Sequence, residues 1–266
     1  MYKGAVFFDV DGTLINAPKG IEKISKQTED ALKQLKSKGY LACLASGRAG
    51  SYINHIGQGF DGYITCNGAV AEIDGEVLFE KVIERDKLER FKEYAERNKI
   101  GYLFETHEKC FKRDFPGKKY DRLVERMVYG KANMLDISNM IEADYKRITK
   151  LQFGADTEEE FDRICKEFEE DFTLTAHHDG LSVDGAPKGV SKASGIVSVA
   201  EFLKIPMENT YAFGDDTNDE EMLKTVAHGV AMTPHAKVLE SVAEFITKSV
   251  EEEGVSYGLK HFGLID

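Results

Sequence analysis

Residues 7–14 read Phe-Phe-Asp-Val-Asp-Gly-Thr-Leu, a short apolar run followed by two aspartates and a glycine. The apolar run at 5–8 is short enough to be a buried strand, and Asp9 and Asp11 follow it two residues apart. In open α/β sheets, ligands bind beyond the carboxyl ends of the strands. Gly12 permits a tight turn there with exposed backbone N–H groups. The stretch predicts an acidic ligand site at the edge of a sheet, although the two aspartates alone would also fit a solvated Asx turn.

Short apolar runs alternate with helical patterns on both sides of a long central segment. Such alternation is typical of a doubly wound, mostly parallel, Rossmann-like α/β sheet. Residues 69–82, with Asp74-Gly75 at their middle, instead predict an antiparallel hairpin. The predicted strands are residues 5–8, 40–45, 62–66, 210–213 and 229–232, and the predicted helices are residues 28–38, 49–56, 190–203 and 218–226.

The central segment has a different pattern, with paired strands between amphipathic helices. Its clearest predicted elements are helices at 86–98 and 157–169 and strands at 148–153, 172–176 and 181–184. We therefore expect an inserted α+β cap domain at residues 83–185, called the insert below. It would interrupt a core domain formed by residues 1–82 and 186–266.

The amino-acid composition argues against several classes of function. The 266 residues are 42% hydrophobic, and 35 basic against 47 acidic side chains give a net charge of −12. This charge repels polyanions, so we expect no general nucleic-acid binding, although a local basic site could bind a small anion. No apolar run approaches the roughly 18 residues of a membrane span, and the N-terminal run is too short for a signal peptide. The four cysteines form no C-x-x-C pair, and we expect a reducing, cytoplasmic location.

A second acidic cluster follows a second predicted core strand. Asp215, Asp216, Asp219 and Glu220 lie where the strand ends and a helix begins. Helix capping would explain one or two of these acids. It would not explain why two core strands both end in acidic clusters. Hard carboxylate oxygens suit Mg²⁺, which binds one or two carboxylates together with water and substrate phosphate.

Two further segments suggest anion binding. Ser46 and Gly47 follow a strand and precede a predicted helix, so they could form an anion site or a plain helix N-cap. Lys192 falls in the first turn of an apolar helix, where a cation is unfavourable to the helix dipole. A bound phosphate beside acidic groups would explain this lysine, whereas Lys188 also fits a solvated surface position.

Together these features predict phosphoryl transfer. Carboxylates would hold Mg²⁺, a lysine and a hydroxyl would hold phosphate oxygens, and an aspartate would attack phosphorus. A second carboxylate two residues on could give a proton to the leaving alcohol and then take one from water.

Over nearly its whole length the sequence resembles the haloacid dehalogenase superfamily, specifically the Cof-type phosphatases with a large C2-type cap. The resemblance is carried by six motifs, of which the first and fifth together are highly specific. They are Asp-Val-Asp-Gly-Thr-Leu at 9–14, Ser-Gly-Arg at 46–48, Asn-Gly-Ala at 67–69, Lys-Gly-Val-Ser-Lys at 188–192, Gly-Asp-Asp-Thr-Asn-Asp at 214–219 and Gly-Val-Ala-Met at 229–232.

The resemblance implies a role for each site residue. Asp9 would be the nucleophile and Asp11 the general acid and base. The residues that it implies at the phosphate are Ser46, Gly47, Lys192 and Asn218. The Mg²⁺ ligands that it implies are Asp9, the backbone carbonyl of Asp11, Asp215 and, through water, Asp219. After Met232 the family commonly has Gly-Asn-Ala, whereas this chain has Thr-Pro-His-Ala at 233–236, which leaves a role for His235 open.

We expect a Mg²⁺-dependent phosphatase of small phosphorylated metabolites, with sugar phosphates as candidates, acting through an aspartyl-phosphate intermediate. A phosphomutase would use the same chemistry but return the phosphoryl group to its substrate. A phospho-aspartate signalling receiver would need neither the second carboxylate nor an insert of about 100 residues. A non-catalytic sugar-phosphate binder would not need the complete acid and lysine set. We expect no nucleic-acid or membrane partner, and the sequence does not determine the oligomeric state.

Three further patterns in the sequence are weaker indications of function. The G-x-G-x-x-G pattern at 57–62 precedes a strand instead of following one, which is the wrong context for dinucleotide binding. His177 and His178 are adjacent in a predicted strand and would point to opposite faces, so we expect no joint metal site. A basic run in the insert could contact an anionic substrate or form a solvated face, and it comprises Lys109, Lys112, Arg113, Lys118, Lys119 and Arg122.

Overall fold

Two β-sheets, each with helices packed against it, organise the part of the chain that the structure describes. The computed structural model describes residues 2–53, 56, 59–115, 121–129, 132–177 and 181–266. Within them the strands are β1 (Gly4–Phe8), β2 (Tyr40–Ala45), β3 (Gly62–Thr65), β4 (Val70–Ile73), β5 (Glu76–Glu80), β6 (Tyr102–Glu105), β7 (Cys110–Arg113), β8 (Met134–Asp136), β9 (Lys150–Gly154), β10 (Phe172–Ala176), β11 (Ser182–Pro187), β12 (Thr210–Gly214), β13 (His228–Ala231) and β14 (Phe245–Ile246). The helices are α1 (Lys26–Ser37), α2 (Arg85–Asn98), α3 (Asp121–Tyr129), α4 (Glu142–Tyr145), α5 (Glu158–Phe168), α6 (Lys192–Leu203), α7 (Glu220–Thr225) and α8 (Gly254–His261).

The first sheet, as far as the described residues show it, has eight strands in the order β14-β13-β12-β1-β2-β3-β4-β5. The strands from β14 to β3 are parallel, and β4 and β5 add to one edge as an antiparallel hairpin. Successive residues of a strand face opposite sides. Accordingly, Val6 and Phe8 pack in an apolar cluster with α1 and α8, while Phe7 packs with α6 and α7 on the other face. The prediction of a doubly wound, mostly parallel sheet is confirmed.

The second sheet takes its strands from residues 102–187. Its described strands lie in the order β10-β11-β9-β6-β7-β8 and pair antiparallel, except for the parallel pair β7 and β8. Helices α2 and α5 cover one face, where Phe91 and Phe168 pack with Phe104 and Phe153. Strand β11 continues to Pro187, beyond the boundary at 185 that we expected for the insert.

One predicted helix is wrong for the part of its segment that the structure describes. In place of a helix at 49–56 there is a 3₁₀ turn, Gly50–Tyr52. The backbone N–H of Ser51 donates to the carbonyl of His107 in the insert. This contact holds the segment against the insert, so the surrounding structure overrides the local helical preference.

Two other helices begin later than expected. Ser191 caps α6 by accepting the backbone N–H of Ser194, so the helix begins at Lys192 instead of residue 190. The helix expected at 218–226 is divided into a 3₁₀ turn, Thr217–Asp219, followed by α7. Among the described helices, none has both the length and the apolar character needed to cross a membrane.

Candidate active site

The two acidic motifs meet at the carboxyl edge of the parallel sheet. Strands β1 and β12 are neighbours, and the backbone N–H of Asp9 donates to the carbonyl of Phe213 at 2.9 Å. Asp9, Asp215 and Asp219 each offer a carboxylate oxygen, and these three oxygens lie within 4.8 Å of one another. Two segments about 200 residues apart in the chain therefore form one cluster, because adjacent parallel strands end at the same edge.

Lys192 joins this cluster from the first turn of α6. Its Nζ lies 2.6 Å from Asp9 Oδ1 and 2.7 Å from Asp219 Oδ1, and all three side chains are buried. The other oxygen of Asp219 accepts the backbone N–H groups of Asp215 and Asp216 at 2.9 and 3.2 Å. Asp219 is thus held from two sides, and the partners of Lys192 explain why a lysine begins this apolar helix.

Burial dominates the electrostatics of the cluster. It raises the pKa of Asp9 to about 7, with Lys192 opposing the increase and Asp219 adding to it. Burial, together with the charges of Asp9 and Asp219, raises the pKa of Asp215 to about 9. Burial alone would lower the pKa of Lys192, but the carboxylates of Asp219 and Asp9 raise it above its usual value. The ammonium therefore stays charged, while the carboxylates need additional positive charge or protons.

The donor set fits a hard divalent cation such as Mg²⁺. Three carboxylates converge, and oxygen ligands of this type are those that Mg²⁺ prefers. Asp215 also lies against the turn that follows β1, where Thr13 Oγ1 donates to it at 3.1 Å. A Cβ at Gly12 would lie 2.0 Å from an Asp215 oxygen, so this close approach requires glycine. Gly12 also has a φ of +90°.

Asp11 lies outside the carboxylate cluster and pairs with Arg48. Arg48 Nε and Nη2 donate to its two oxygens at 2.9 and 2.8 Å, and 55% of the Asp11 side chain is exposed. Arg48 Nη1 is buried, with no hydrogen-bond partner among the described residues. Arg48 was part of a motif in the sequence, yet its contact with Asp11 was not predicted.

Ser46 and Gly47 form a loop at the end of β2. Ser46 is buried, and its hydroxyl accepts the backbone N–H of Arg48 at 3.2 Å. The nearby 3₁₀ turn has Ala49 at its N-cap, so Ser46 does not cap it. A Cβ at Gly47 would lie 2.8 Å from Asn67 Oδ1, which leaves little room for a larger residue. We call residues 46–48 the phosphate loop, after the role that the family resemblance implies for Ser46 and Gly47.

A turn between β3 and β4 lies between the phosphate loop and α6. Cys66, Asn67 and Gly68 all have positive φ angles, of 51°, 54° and 97°. The backbone N–H of Asn67 donates to the carbonyl of Ser46 at 3.1 Å. On the other side, a Cβ at Gly68 would lie 2.0 Å from the carbonyl oxygen of Ser191. This turn therefore connects the phosphate loop to the start of α6, where Lys192 lies.

The remaining predicted residues differ in exposure and in their hydrogen-bond partners. Asn218 belongs to the same turn as Asp219, but its side chain is exposed. Asp216 caps that turn, so capping accounts for this acid. Lys188 is exposed and donates to the carbonyl of Glu169, which agrees with a surface position. His235 bonds the nearby carbonyl of Met232 at 2.6 Å.

The weaker sequence signals fall partly outside the described residues. Lys109, Lys112 and Arg113 pair with Asp144, Asp114 and Glu96, whereas Lys118, Lys119 and the side chain of Arg122 lie outside the description. His177 Nε2 lies 2.7 Å from Asp184 Oδ1, but His178 is not described. Residues 57 and 58 of the G-x-G-x-x-G pattern are likewise not described.

Comparisons with known proteins agree with this fold. A family model described as haloacid dehalogenase-like hydrolase matches residues 6–259. The Bacillus subtilis protein named "Putative phosphatase YkrA" is 30% identical over 264 residues, covering 98% of each chain. The structure of BT1666 from Bacteroides thetaiotaomicron, titled among phosphatases of the superfamily, has a TM-score of 0.85 at 29% identity, covering 99% of this chain and 96% of that chain. The subclass IIB sugar phosphatase BT4131 has a TM-score of 0.83 at 27% identity, covering 98% and 100%.

The fold is therefore that of a Cof-type hydrolase. The chain belongs to the haloacid dehalogenase-like hydrolases, as the resemblance in its motifs predicted.

Proposed function

We propose that the protein is a Mg²⁺-dependent phosphatase that hydrolyses small phosphorylated metabolites through an aspartyl-phosphate on Asp9. The contact of Lys192 with both Asp9 and Asp219, inside a buried carboxylate cluster, carries this proposal. It pairs a nucleophile with a cation that can hold a phosphate oxygen. The names of the relatives, which include a sugar phosphatase, favour sugar phosphates as the substrate class.

The first half of the reaction transfers the phosphoryl group to the enzyme. A carboxylate oxygen of Asp9 attacks phosphorus and forms an O–P bond, while the bond from phosphorus to the ester oxygen breaks. Asp11 gives its proton to that leaving oxygen, which departs as an alcohol. In the structure Arg48 donates to both oxygens of the exposed Asp11 carboxyl, so at least one of these two hydrogen bonds must open when Asp11 transfers its proton.

The second half releases phosphate. Asp11 takes a proton from a water molecule as that water attacks phosphorus, and the bond to Asp9 breaks, which regenerates the carboxylate. Lys192, Ser46, Gly47 and Asn218 are the residues that bind the phosphoryl oxygens in this proposal. Mg²⁺, held by Asp9, the backbone carbonyl of Asp11, Asp215 and indirectly Asp219, would neutralise phosphate charge.

The division of labour in the chain is also a proposal. Residues 1–82 and 186–266 form the catalytic core, and the insert at 83–185 discriminates among substrates. A reducing, cytoplasmic setting is compatible with the free thiols of the four cysteines.

A metabolite screen tests the function. The purified protein would be incubated with phosphorylated sugars, other small phosphate esters and p-nitrophenyl phosphate, with Mg²⁺ or with EDTA. We expect phosphate release from a subset of these compounds with Mg²⁺ and none with EDTA. Formation of an isomeric sugar phosphate without phosphate release would identify a mutase instead. No reaction with any compound in Mg²⁺ would contradict the proposal.

A further inference from the structure

A second buried charged cluster lies in the insert, separate from the acidic site. Lys150 Nζ lies 3.0 Å from Glu105 Oε1 and 3.6 Å from Asp184 Oδ2. The three residues come from β9, β6 and β11, and each is less than 10% exposed. Burial alone would lower the pKa of Lys150, but Asp184 and Glu105 raise it well above its usual value, so its ammonium is charged.

Lys150 also contacts the core. Its Nζ donates to the backbone carbonyl of Gly47 at 2.7 Å, across the junction between the two sheets. Gly47 is the middle residue of the phosphate loop. A residue of the insert therefore provides a buried positive charge directly to the loop that we assign to phosphate binding.

The planar peptide group gives this contact a consequence for Ser46. The carbonyl of Gly47 and the N–H of Arg48 belong to one peptide unit and point in opposite directions. Fixing the carbonyl with an ammonium therefore fixes the direction of the N–H, which donates to Ser46 Oγ at 3.2 Å. The charge also polarises the peptide unit, which makes the N–H a stronger donor.

The surroundings of Lys150 shield its side chain from water. An apolar cluster at the junction contains Tyr52 and Cys66 of the core together with Leu103 and Met127 of the insert. The hydroxyl of Tyr52 donates to Glu105 at 3.0 Å. Charge-assisted hydrogen bonds are stronger in such a dry environment than at the surface.

The insert also supports the phosphate loop through a second contact. Asn67 Nδ2 donates to Asp184 Oδ2 at 2.8 Å, and the backbone N–H of Asn67 donates to the carbonyl of Ser46. Lys150 and Asp184 thus hold the phosphate loop through two different core residues, Gly47 and Asn67.

We propose that Lys150 is a positioning residue for phosphate binding, which acts by holding the Gly47 carbonyl and thereby orienting the Ser46 hydroxyl. This inference rests on the proposed function. It modifies the expected role of the insert, which would then contribute to phosphate affinity for every substrate and not only to substrate choice.

A matched pair of variants tests the inference. Glu105→Gln removes the nearer of the two ion-pair partners of Lys150 and leaves the Gly47 contact in place. The double variant Glu105→Gln with Lys150→Met also removes that contact, without leaving the Glu105 carboxylate buried and unpaired. Inorganic phosphate, used as a competitive inhibitor of p-nitrophenyl phosphate hydrolysis, reports phosphate affinity in each variant. Thermal melting and far-UV circular dichroism verify folding.

We expect the double variant to bind phosphate about tenfold more weakly than Glu105→Gln, as the loss of a charge-assisted hydrogen bond predicts. Amide hydrogen exchange should also increase in the peptide that contains residues 46–52. Equal inhibition constants in the two variants would overturn the inference. If the double variant does not fold, the single variant Lys150→Gln, which carries a neutral side chain, is compared with the wild type. Unchanged phosphate affinity in that variant again overturns the inference. A wild-type protein that neither hydrolyses the ester nor binds phosphate contradicts the proposed function instead.

Discussion

Charge balance at the residue scale distinguishes the acidic site from an ordinary buried ion pair. Among the described residues, the ammonium of Lys192 faces three converging carboxylates, those of Asp9, Asp215 and Asp219. Buried carboxylates this close repel one another unless protons or cations compensate them. The carboxylates of the site therefore outnumber the ammonium that faces them, and this excess of negative charge favours binding of a cation.

Asp9→Asn should lower phosphate release at least about a thousandfold, because an amide is not an anionic nucleophile. The fold should remain intact, since an amide of the same shape removes charge from a crowded site. Asp216→Asn is the matched control, because Asp216 caps a turn and asparagine also caps well. Steady-state turnover and thermal melting measure both variants. Comparable turnover in Asp9→Asn and Asp216→Asn would exclude Asp9 as the nucleophile.

The raised pKa values predict how stability depends on pH and Mg²⁺. Folding raises the pKa of Asp9 to about 7 and that of Asp215 to about 9, whereas both would be about 3.9 in the unfolded chain. Groups shifted in this direction contribute stability at low pH that is lost as the pH rises through the folded-state values. In EDTA, the Tm should therefore fall between pH 6 and pH 9.

Mg²⁺ should counteract this loss by compensating the carboxylates, so the increase in Tm that it causes should be larger at pH 9 than at pH 6. Thermal melts at both values, with Mg²⁺ and with EDTA, measure the difference. Asp215→Asn should reduce the difference between the Mg²⁺ effects at pH 9 and pH 6, because one titrating ligand is removed. An identical Mg²⁺ effect at both pH values in the wild type would argue against a cation at this cluster.

At the scale of elements, the turn between β3 and β4 determines how the loops of the site fit together. Its three residues at 66–68 adopt positive φ, a conformation that non-glycine residues rarely adopt. Such backbone is retained where the surrounding structure requires it, often at functional sites. Here the turn bonds Ser46 on one side and packs against Ser191 on the other.

Gly68→Ala should destabilise the protein by about 2–4 kcal/mol, because it combines an unfavourable φ with a steric clash. The new Cβ would lie 2.0 Å from the Ser191 carbonyl oxygen. Gly75→Ala is the control, since Gly75 has a φ of +82° but no heavy atom within 4 Å of the position that a Cβ would occupy. Its cost should be only about 1 kcal/mol. Urea unfolding measures the free energy of unfolding of the two variants. Equal values for Gly68→Ala and Gly75→Ala would show that the clash at residue 68 is relieved.

At the scale of the whole molecule, the two sheets share a buried junction. The apolar cluster of Tyr52, Cys66, Leu103 and Met127 draws on both the core and the insert. The Lys150 contact with Gly47 crosses the same junction. Because this junction is apolar and buried, we expect the insert and the core to unfold together in one cooperative transition.

Leu103→Ala and Leu88→Ala test this expectation as a matched pair. Both leucines are fully buried, but Leu103 lies at the junction, whereas Leu88 lies in the apolar cluster of the insert alone. Each substitution should cost about 2–5 kcal/mol. Urea unfolding should stay a single transition in both, while amide exchange at residues 46–52 should increase only in Leu103→Ala. Two separate transitions in the wild type would contradict a shared folding unit.

Local patterns in the sequence determined much of the fold. Strands β2 and β10 have the predicted bounds. Each is a short run of apolar or β-branched residues between turn residues, and such a run can be identified from residues adjacent in the sequence. The approach of Asp9 to Asp215 also followed from the sequence. Each acid ends a core strand, and parallel strands end at one edge.

Other features depended on which surfaces meet in three dimensions. The pairing of Asp11 with Arg48 and the loss of the helix at 49–56 both result from contacts between segments distant in the chain. Lys150 and Glu105 occupy strand positions that the sequence pattern alone cannot distinguish from a solvent-exposed face. They are buried because the insert packs against the phosphate loop. Side-chain periodicity indicates which residues share a face, but only tertiary packing decides whether that face meets water or another part of the protein.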